Sequence, residues 1–411
     1  MMKRNIKNIL TLCAALSVLS LCLSCKSDKP ALKREKVTTK LFNKEKIIRI
    51  ACAGSWELNV GDNLQWEGIQ LACDEINANG GVDGAQVELI QYDDQITEKT
   101  GLHAAYEISN RFDISAVIGH SVSGVAVETS KVYQYYGVLM FSPMATARKL
   151  TAQGFPYVFR NIPRATIFAH TATSFCKKQG WNRMIIYYLD TLYGEDISNA
   201  FEFSCVKDEI FVVDRESYSD LDLEAQFIHM TKWLNDNFEY DAVFLVGDMP
   251  QVKDVVKTMR ENGLVKPILG GDTFDHPAME EWIVENNVRD IYAVTSYDRD
   301  AQYSAYKNFK EKFTEKYKKE PDQQAVQGYD ALKIITGAMA KAHSVKAKDV
   351  SDAIRKNTWD GLNGRYYFNK NGDIVGANIY IRDYNKLCDE YIEKLAEQEK
   401  AVEAESVKTG E

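Results

Sequence analysis

The sequence predicts an α/β protein with parallel sheets, and three observations carry that prediction. Short apolar runs at 47–53, 116–119 and 242–246 read as strands covered on both faces. Between them lie longer segments with apolar residues at helical spacing, as in Ile69, Ala72, Cys73 and Ile76. The clearest junction is ACDEINANGGVDGAQVELIQYDDQ from Ala72, where that helix meets Asn79-Gly80-Gly81, a source of the positive-φ residues of a helix stop. Val87, Leu89 and Gln91 then alternate with Glu88, Ile90 and Tyr92 up to Asp93-Asp94, completing the αβ half of a βαβ unit. With 45% apolar residues, the body of the chain is long enough for two lobes of ordinary domain size.

In order, the first part of the body reads as strand 47–53, helix 64–78, strand 87–92, helix 98–112, strand 116–119, helix 125–136 and strand 138–142. The second part has strands at 184–189, 210–213, 242–246, 268–270 and 291–294, with helices between them. Helices at 302–318 and 325–340 and strands at 366–369 and 374–381 follow. Along this order stand the motifs VIGHSVSG (from Val117), VLMFSPMAT (from Val138), YVFRNIP (from Tyr157), LYGED (from Leu192), LVGDMPQV (from Leu245), GGDTF (from Gly270) and GYDAL (from Gly328). The ordered set, spanning roughly 47–388, resembles the type I periplasmic binding proteins, specifically the branched-chain amino acid receptors of ABC transporters. The resemblance implies two Rossmann-like lobes with parallel sheets joined by a three-segment hinge. Residues 47–160 plus 297–358 would form lobe one, and 161–296 plus 359–388 lobe two. Crossings are expected near 160–163, 295–298 and 359–361, so that the lobes can close by rotating about a few strands.

The ends read differently. Residues 1–25 open with Lys3, Arg4 and Lys7, continue through an apolar run at 9–23 and stop at Ser24-Cys25, a signal-peptide pattern too short to span as a lone anchor. Small Ser24 before Cys25 suits a bacterial lipoprotein cleavage site, with a lipidated Cys25 opening the mature protein and its lipid the only membrane contact. Cys22 replaces the leucine usual there, and ordinary signal cleavage is the alternative. Residues 26–46 are lysine-rich and read as a flexible tether, and 389–411 as a charged tail, a frayed helix or disordered. The implied location is the bacterial cell envelope, facing the periplasm or exterior.

Composition narrows the function classes. A net charge of −9 argues against nucleic acid as a partner. No apolar run after Leu23 is long enough to cross a membrane, so transport would need a separate permease. Cys52, Cys73, Cys176, Cys205 and Cys388 form no CxxC pair or His-flanked cluster, so neither metal nor cofactor is expected. Cys52 with Cys73, or Cys176 with Cys205, could bridge; buried thiols are the other reading.

Open α/β sheets bind ligands beyond the carboxyl ends of their strands. Ser121-Val122-Ser123-Gly124 follows one strand and opens a helix, where hydroxyls and free backbone N–H groups favour a carboxylate. By position in the motif, the resemblance assigns Ser123 to a ligand α-carboxylate, with Ser121 beside it. In Ser142-Pro143-Met144-Ala145-Thr146 it assigns the Met144 backbone and Thr146, with Ala145 between them, to carboxylate and ammonium contacts. Met144 replaces a small residue and would reshape the pocket. Asp272 stands where the family places an acid for the ligand ammonium, and Tyr193 matches a tyrosine that closes over the ligand. Trp56 and Glu57 replace a Gly-Pro-rich turn, so the indole would stack on the ligand or pack at the hinge. Asp248 replaces an aromatic or polar residue and, with Glu57, makes a polar or cationic ligand side chain conceivable.

Two other roles are compatible with these residues. The same receptor could pass its bound form to a membrane signalling protein instead of a permease, or bind an amide, urea-like molecule or aromatic acid. An enzyme is not expected, because His120 beside Ser121 and Ser123 lacks a GxSxG elbow and neither a Walker loop nor a Rossmann glycine fingerprint is present.

Overall fold

The computed structural model describes residues 29–56 and 64–409, so the signal peptide, Cys25 and Glu57 lie outside the described residues. Strands β1 (Ile47–Gly54), β2 (Gln86–Asp93), β3 (Ile114–Ile118), β4 (Leu139–Ser142) and β5 (Val158–Arg160) form the first sheet, in the order β2-β1-β3-β4-β5. Every pair in it is parallel. Helices α1 (Pro30–Lys40), α2 (Gln65–Ala78), α3 (Glu98–Asn110), α4 (Ser123–Tyr136) and the short α5 (Lys149–Ala152) accompany it. All five residues of β3 are buried, as a strand covered on both faces requires. After α2 the chain turns through Gly80 (φ 90°) and Gly81 (φ 74°), while Asn79 keeps a negative φ. Asn77 fastens the turn, because its amide donates to the Val87 carbonyl (2.9 Å) and accepts from the Val87 N–H (2.8 Å).

The second sheet takes β6 (Arg183–Leu189), β7 (Phe211–Tyr218), β8 (Ala242–Val246), β9 (Ile268–Gly270) and β10 (Ile291–Thr295), with α6 (Ala165–Gln179) before them and α7 (Leu192–Asp208), α8 (Leu223–Asn237), α9 (Gln251–Glu261) and α10 (Pro277–Glu285) between them. The chain then returns to lobe one for α11 (Ser304–Tyr317), α12 (Gln323–Ala342) and α13 (Ala347–Lys356). The packing of α2 on α12 needs glycine, since a Cβ at Gly68 would stand 2.0 Å from the Ala325 carbonyl oxygen. A small antiparallel sheet follows, built from β11 (Trp359–Gly361), β12 (Gly364–Phe368) and β13 (Ile374–Val375). Last come β14 (Tyr380–Asp383), which completes the order β14-β10-β9-β8-β6-β7 by pairing antiparallel to β10, and α14 (Tyr384–Thr409).

Three sequence expectations need correction. Residues 30–45 are not a flexible tether but α1 and a π-turn docked on lobe one. Arg34 is buried there and donates to the carbonyls of Ser109 (2.5 Å), Arg111 (2.9 Å), Ile114 (2.6 Å) and Tyr136 (3.3 Å). Residues 359–375 belong with lobe one, not lobe two, because Trp359, Tyr366, Phe368 and Ile374 are buried in the lobe-one core. The third crossing therefore falls between β13 and β14. The 374–381 strand divides at that point, and the charged tail from 389 continues α14. The five described cysteines are buried free thiols.

Polar groups knit the hinge. Asn161, at the first crossing, donates to the Gln327 side-chain oxygen (2.8 Å). Gln327 and Gln323 both donate to the Ser296 hydroxyl at the second crossing (3.2 and 2.7 Å). Buried Arg160 pairs with Asp373 (2.8 Å) and donates to the carbonyls of Ala145 (3.1 Å) and Ala147 (2.8 Å). It thereby fixes the backbone of the loop after β4.

Candidate ligand-binding cleft

A cavity of about 540 Å³ lies between the lobes at the carboxyl ends of both sheets. Its lobe-one wall includes Trp56, Gln65, Ser121, Ser123 and Met144, and its lobe-two wall Tyr193, Asp248, Asp272 and Thr273.

The lobe-one wall centres on the start of α4. Val122 holds the N-cap position with no side-chain cap, and Val122, Ser123, Gly124 and Val125 line the cavity, so the positive end of the helix dipole lies at it. Ser121 donates to the Gln65 side-chain oxygen (2.7 Å), and Ser123 accepts from the Ala147 N–H (3.3 Å). Ala145 and Thr146 are buried behind Met144 and do not line the cavity. The Thr146 hydroxyl has no hydrogen-bond partner among the described residues. Trp56 lines the cavity with its indole N–H already donated to the carbonyls of Cys52 (3.1 Å) and Tyr92 (3.0 Å), leaving the ring to make contacts.

The lobe-two wall is acidic. Asp272 is 3% exposed, and among the described residues its one hydrogen-bonded side-chain partner is the Tyr193 hydroxyl (2.8 Å). Burial pushes the Asp272 carboxyl up to about 6, with the charge of Asp248 adding to the shift. Asp248 is part-buried, and desolvation likewise lifts it to about 6. Asp275 is matched by Arg382 (3.2 Å).

Sequence reasoning missed Gln65, Asp94, Thr273 and Asp275. Asp94 ends β2 at the acidic break and lies at a strand's carboxyl end, the one signal that pointed to it. It accepts from buried His120 (2.6 Å), whose other ring nitrogen meets the Tyr133 hydroxyl (2.9 Å). His120 is therefore bound into the lobe-one interior and does not line the cleft.

Residues 60–386 match the family model described as periplasmic binding protein. The chain belongs to the periplasmic binding protein family. This binding protein is 25% identical over 345 residues to the leucine-, isoleucine-, valine-, threonine- and alanine-binding protein of Pseudomonas aeruginosa, covering 82% of this chain and 90% of that one. Against the leucine-specific-binding protein of Salmonella typhimurium the identity is 25% over 343 residues, covering 81% and 90%. Its fold matches an ABC transporter substrate-binding protein from Desulfitobacterium hafniense in complex with Leu, at 28% identity and a TM-score of 0.72, covering 82% of this chain and 96% of that one. No described helix of the binding protein is long and apolar enough to cross a membrane.

Proposed function

We propose that this protein captures an amino acid in the cleft by hinge closure and delivers it to an ABC permease in the cell envelope. One observation carries the reading: the uncapped start of α4 on lobe one shares a cavity with the buried Asp272 carboxylate on lobe two. An α-amino acid bears one charge for each wall, whereas an amide or an aromatic acid leaves Asp272 without a cation. In this reading Ser121, Ser123 and the Met144 backbone hold the carboxylate, and Thr146 behind Met144 swings its unpartnered hydroxyl to it on closure. Asp272 takes the ammonium, Tyr193 orients Asp272, and Trp56 covers the side chain. The relatives' amino acid ligands, and the permease with which an ABC substrate-binding protein works, support it.

A thermal-shift panel of amino acids, their decarboxylated amines and their amides tests this, because a ligand that binds only the folded state raises the melting temperature. Stabilisation by amino acids alone is the expected result, and stabilisation by amines or amides without amino acids would reject it. Lipidation at Cys25 is part of the same proposal, motivated by Ser24-Cys25 at the end of the apolar run. Cys25→Ala should move the protein from the membrane to the soluble fraction, and an unchanged distribution would count against the anchor.

A further inference from the structure

The charge balance of the cleft exceeds what one ammonium can satisfy. Asp94, Glu98, Asp190, Asp248, Asp272 and Asp275 line it, and no lysine or arginine does among the described residues. Asp94 is held by His120 and Asp275 by Arg382, while Glu98 and Asp190 are solvent-exposed. Asp272 and Asp248 remain. They follow the carboxyl ends of neighbouring parallel strands, β9 and β8, and the charge of Asp248 reaches Asp272. Among the described residues, no hydrogen bond or ion pair reaches the Asp248 carboxylate in the structure.

Resting on the amino acid reading above, a ligand ammonium at Asp272 would leave Asp248 as an uncompensated carboxylate in a closing cleft. An apolar side chain such as leucine's makes that worse by displacing water from Asp248. We propose that the ligand is an α-amino acid with a cationic side chain, whose second positive group is held by Asp248. Met144, Met249 and Leu192 also line the cavity and suit the methylene stem of such a side chain. The uncapped start of α4 argues that the ligand keeps its carboxylate and is not a simple diamine.

Calorimetry on the full processed protein tests the proposal with L-lysine, L-arginine, L-norleucine, L-leucine and cadaverine. Norleucine has lysine's carbon skeleton without the terminal amine, and cadaverine is lysine without its carboxylate. Lysine or arginine should bind at least tenfold tighter than norleucine, with cadaverine weaker than both. In Asp248→Asn the preference for lysine over norleucine should fall at least fivefold. The wild-type comparison stands by itself if that variant does not fold. Norleucine or leucine equalling the basic amino acids would overturn this proposal and leave the amino acid reading intact. Cadaverine equalling lysine would overturn both it and the carboxylate site, and silence from every amino acid would overturn the parent reading as well.

Discussion

A carboxylate buried away from water keeps its proton more readily than an exposed one, even where a tyrosine hydroxyl donates to it, unless a cation arrives. Asp272 and Asp248 sit at about 6 in the folded protein, against an ordinary 3.8. The groups around them are Tyr193, Tyr218, Asp275 with its partner Arg382, and His276, and none of these places a free cation on either carboxylate. Because the folded pKa is raised, the native state holds more protons than the unfolded chain between about pH 4 and 6. Stability therefore falls as pH rises through that window. Buried Asp322, at about 6, and Asp330, at about 7, act in the same direction. The ligand-free protein should melt higher at pH 5.5 than at 7.5, whereas amino acid affinity should fall on the same acidification, because the bound ammonium needs ionised Asp272. Melting curves and calorimetry at the two pH values check both, and affinity that rises in acid would contradict the assignment. Asp272→Asn should weaken binding by about 2–3 kcal/mol, since an ammonium loses its counter-charge in a closed cleft. Unchanged affinity in that variant would remove Asp272 from the site. The acid after Gly270-Gly271 was legible in the sequence through the resemblance, which places an acid at that position. The burial that raises Asp272 was not, since it depends on Tyr193 arriving from α7.

At the scale of elements, α1 is the addition that composition concealed. Its lysines face solvent, and its attachment runs through one buried cation, so a hydrophobic pattern had little to reveal. Arg34 donates to carbonyls at the carboxyl ends of both α3 and α4, where a positive charge also favours the helix dipoles. Lys33 lies over the Phe112 ring, 4.1 Å from its centroid. Arg34→Ala would leave these buried carbonyls without donors and should destabilise lobe one by about 2–4 kcal/mol. Denaturant unfolding measures that loss. A change below about 0.5 kcal/mol would mean that α1 is dispensable to the fold. The opposite case is the stop after α2, where Asn77 and the Gly80-Gly81 pair act through local geometry and were readable without the rest of the chain.

For the whole molecule, closure depends on contacts across the cleft as well as on the ligand. Arg148 after β4 bridges to Asp196 of α7, through its backbone N–H (2.8 Å) and its guanidinium (2.8 Å), outside the ligand cavity. Asp196→Ala should weaken every ligand by about three- to tenfold without changing their order, because it removes a tie between the lobes and no ligand contact. Calorimetry across the same ligand panel decides this, and a changed ligand order would show that Asp196 belongs to the site. The sequence by itself determined the α/β class with parallel sheets and the strand ends, because these follow from local periodicity and from turns encoded within a few residues, whereas the two lobes and the acid at Asp272 were legible only through the resemblance of the ordered motifs to the family. Only the tertiary structure decided that Ala145 and Thr146 sit behind Met144, that 359–375 packs on lobe one and that Asp248 has no partner among the described residues. Each of these depends on groups distant in sequence, such as Arg160 with Asp373, and local pattern carries no record of such pairings.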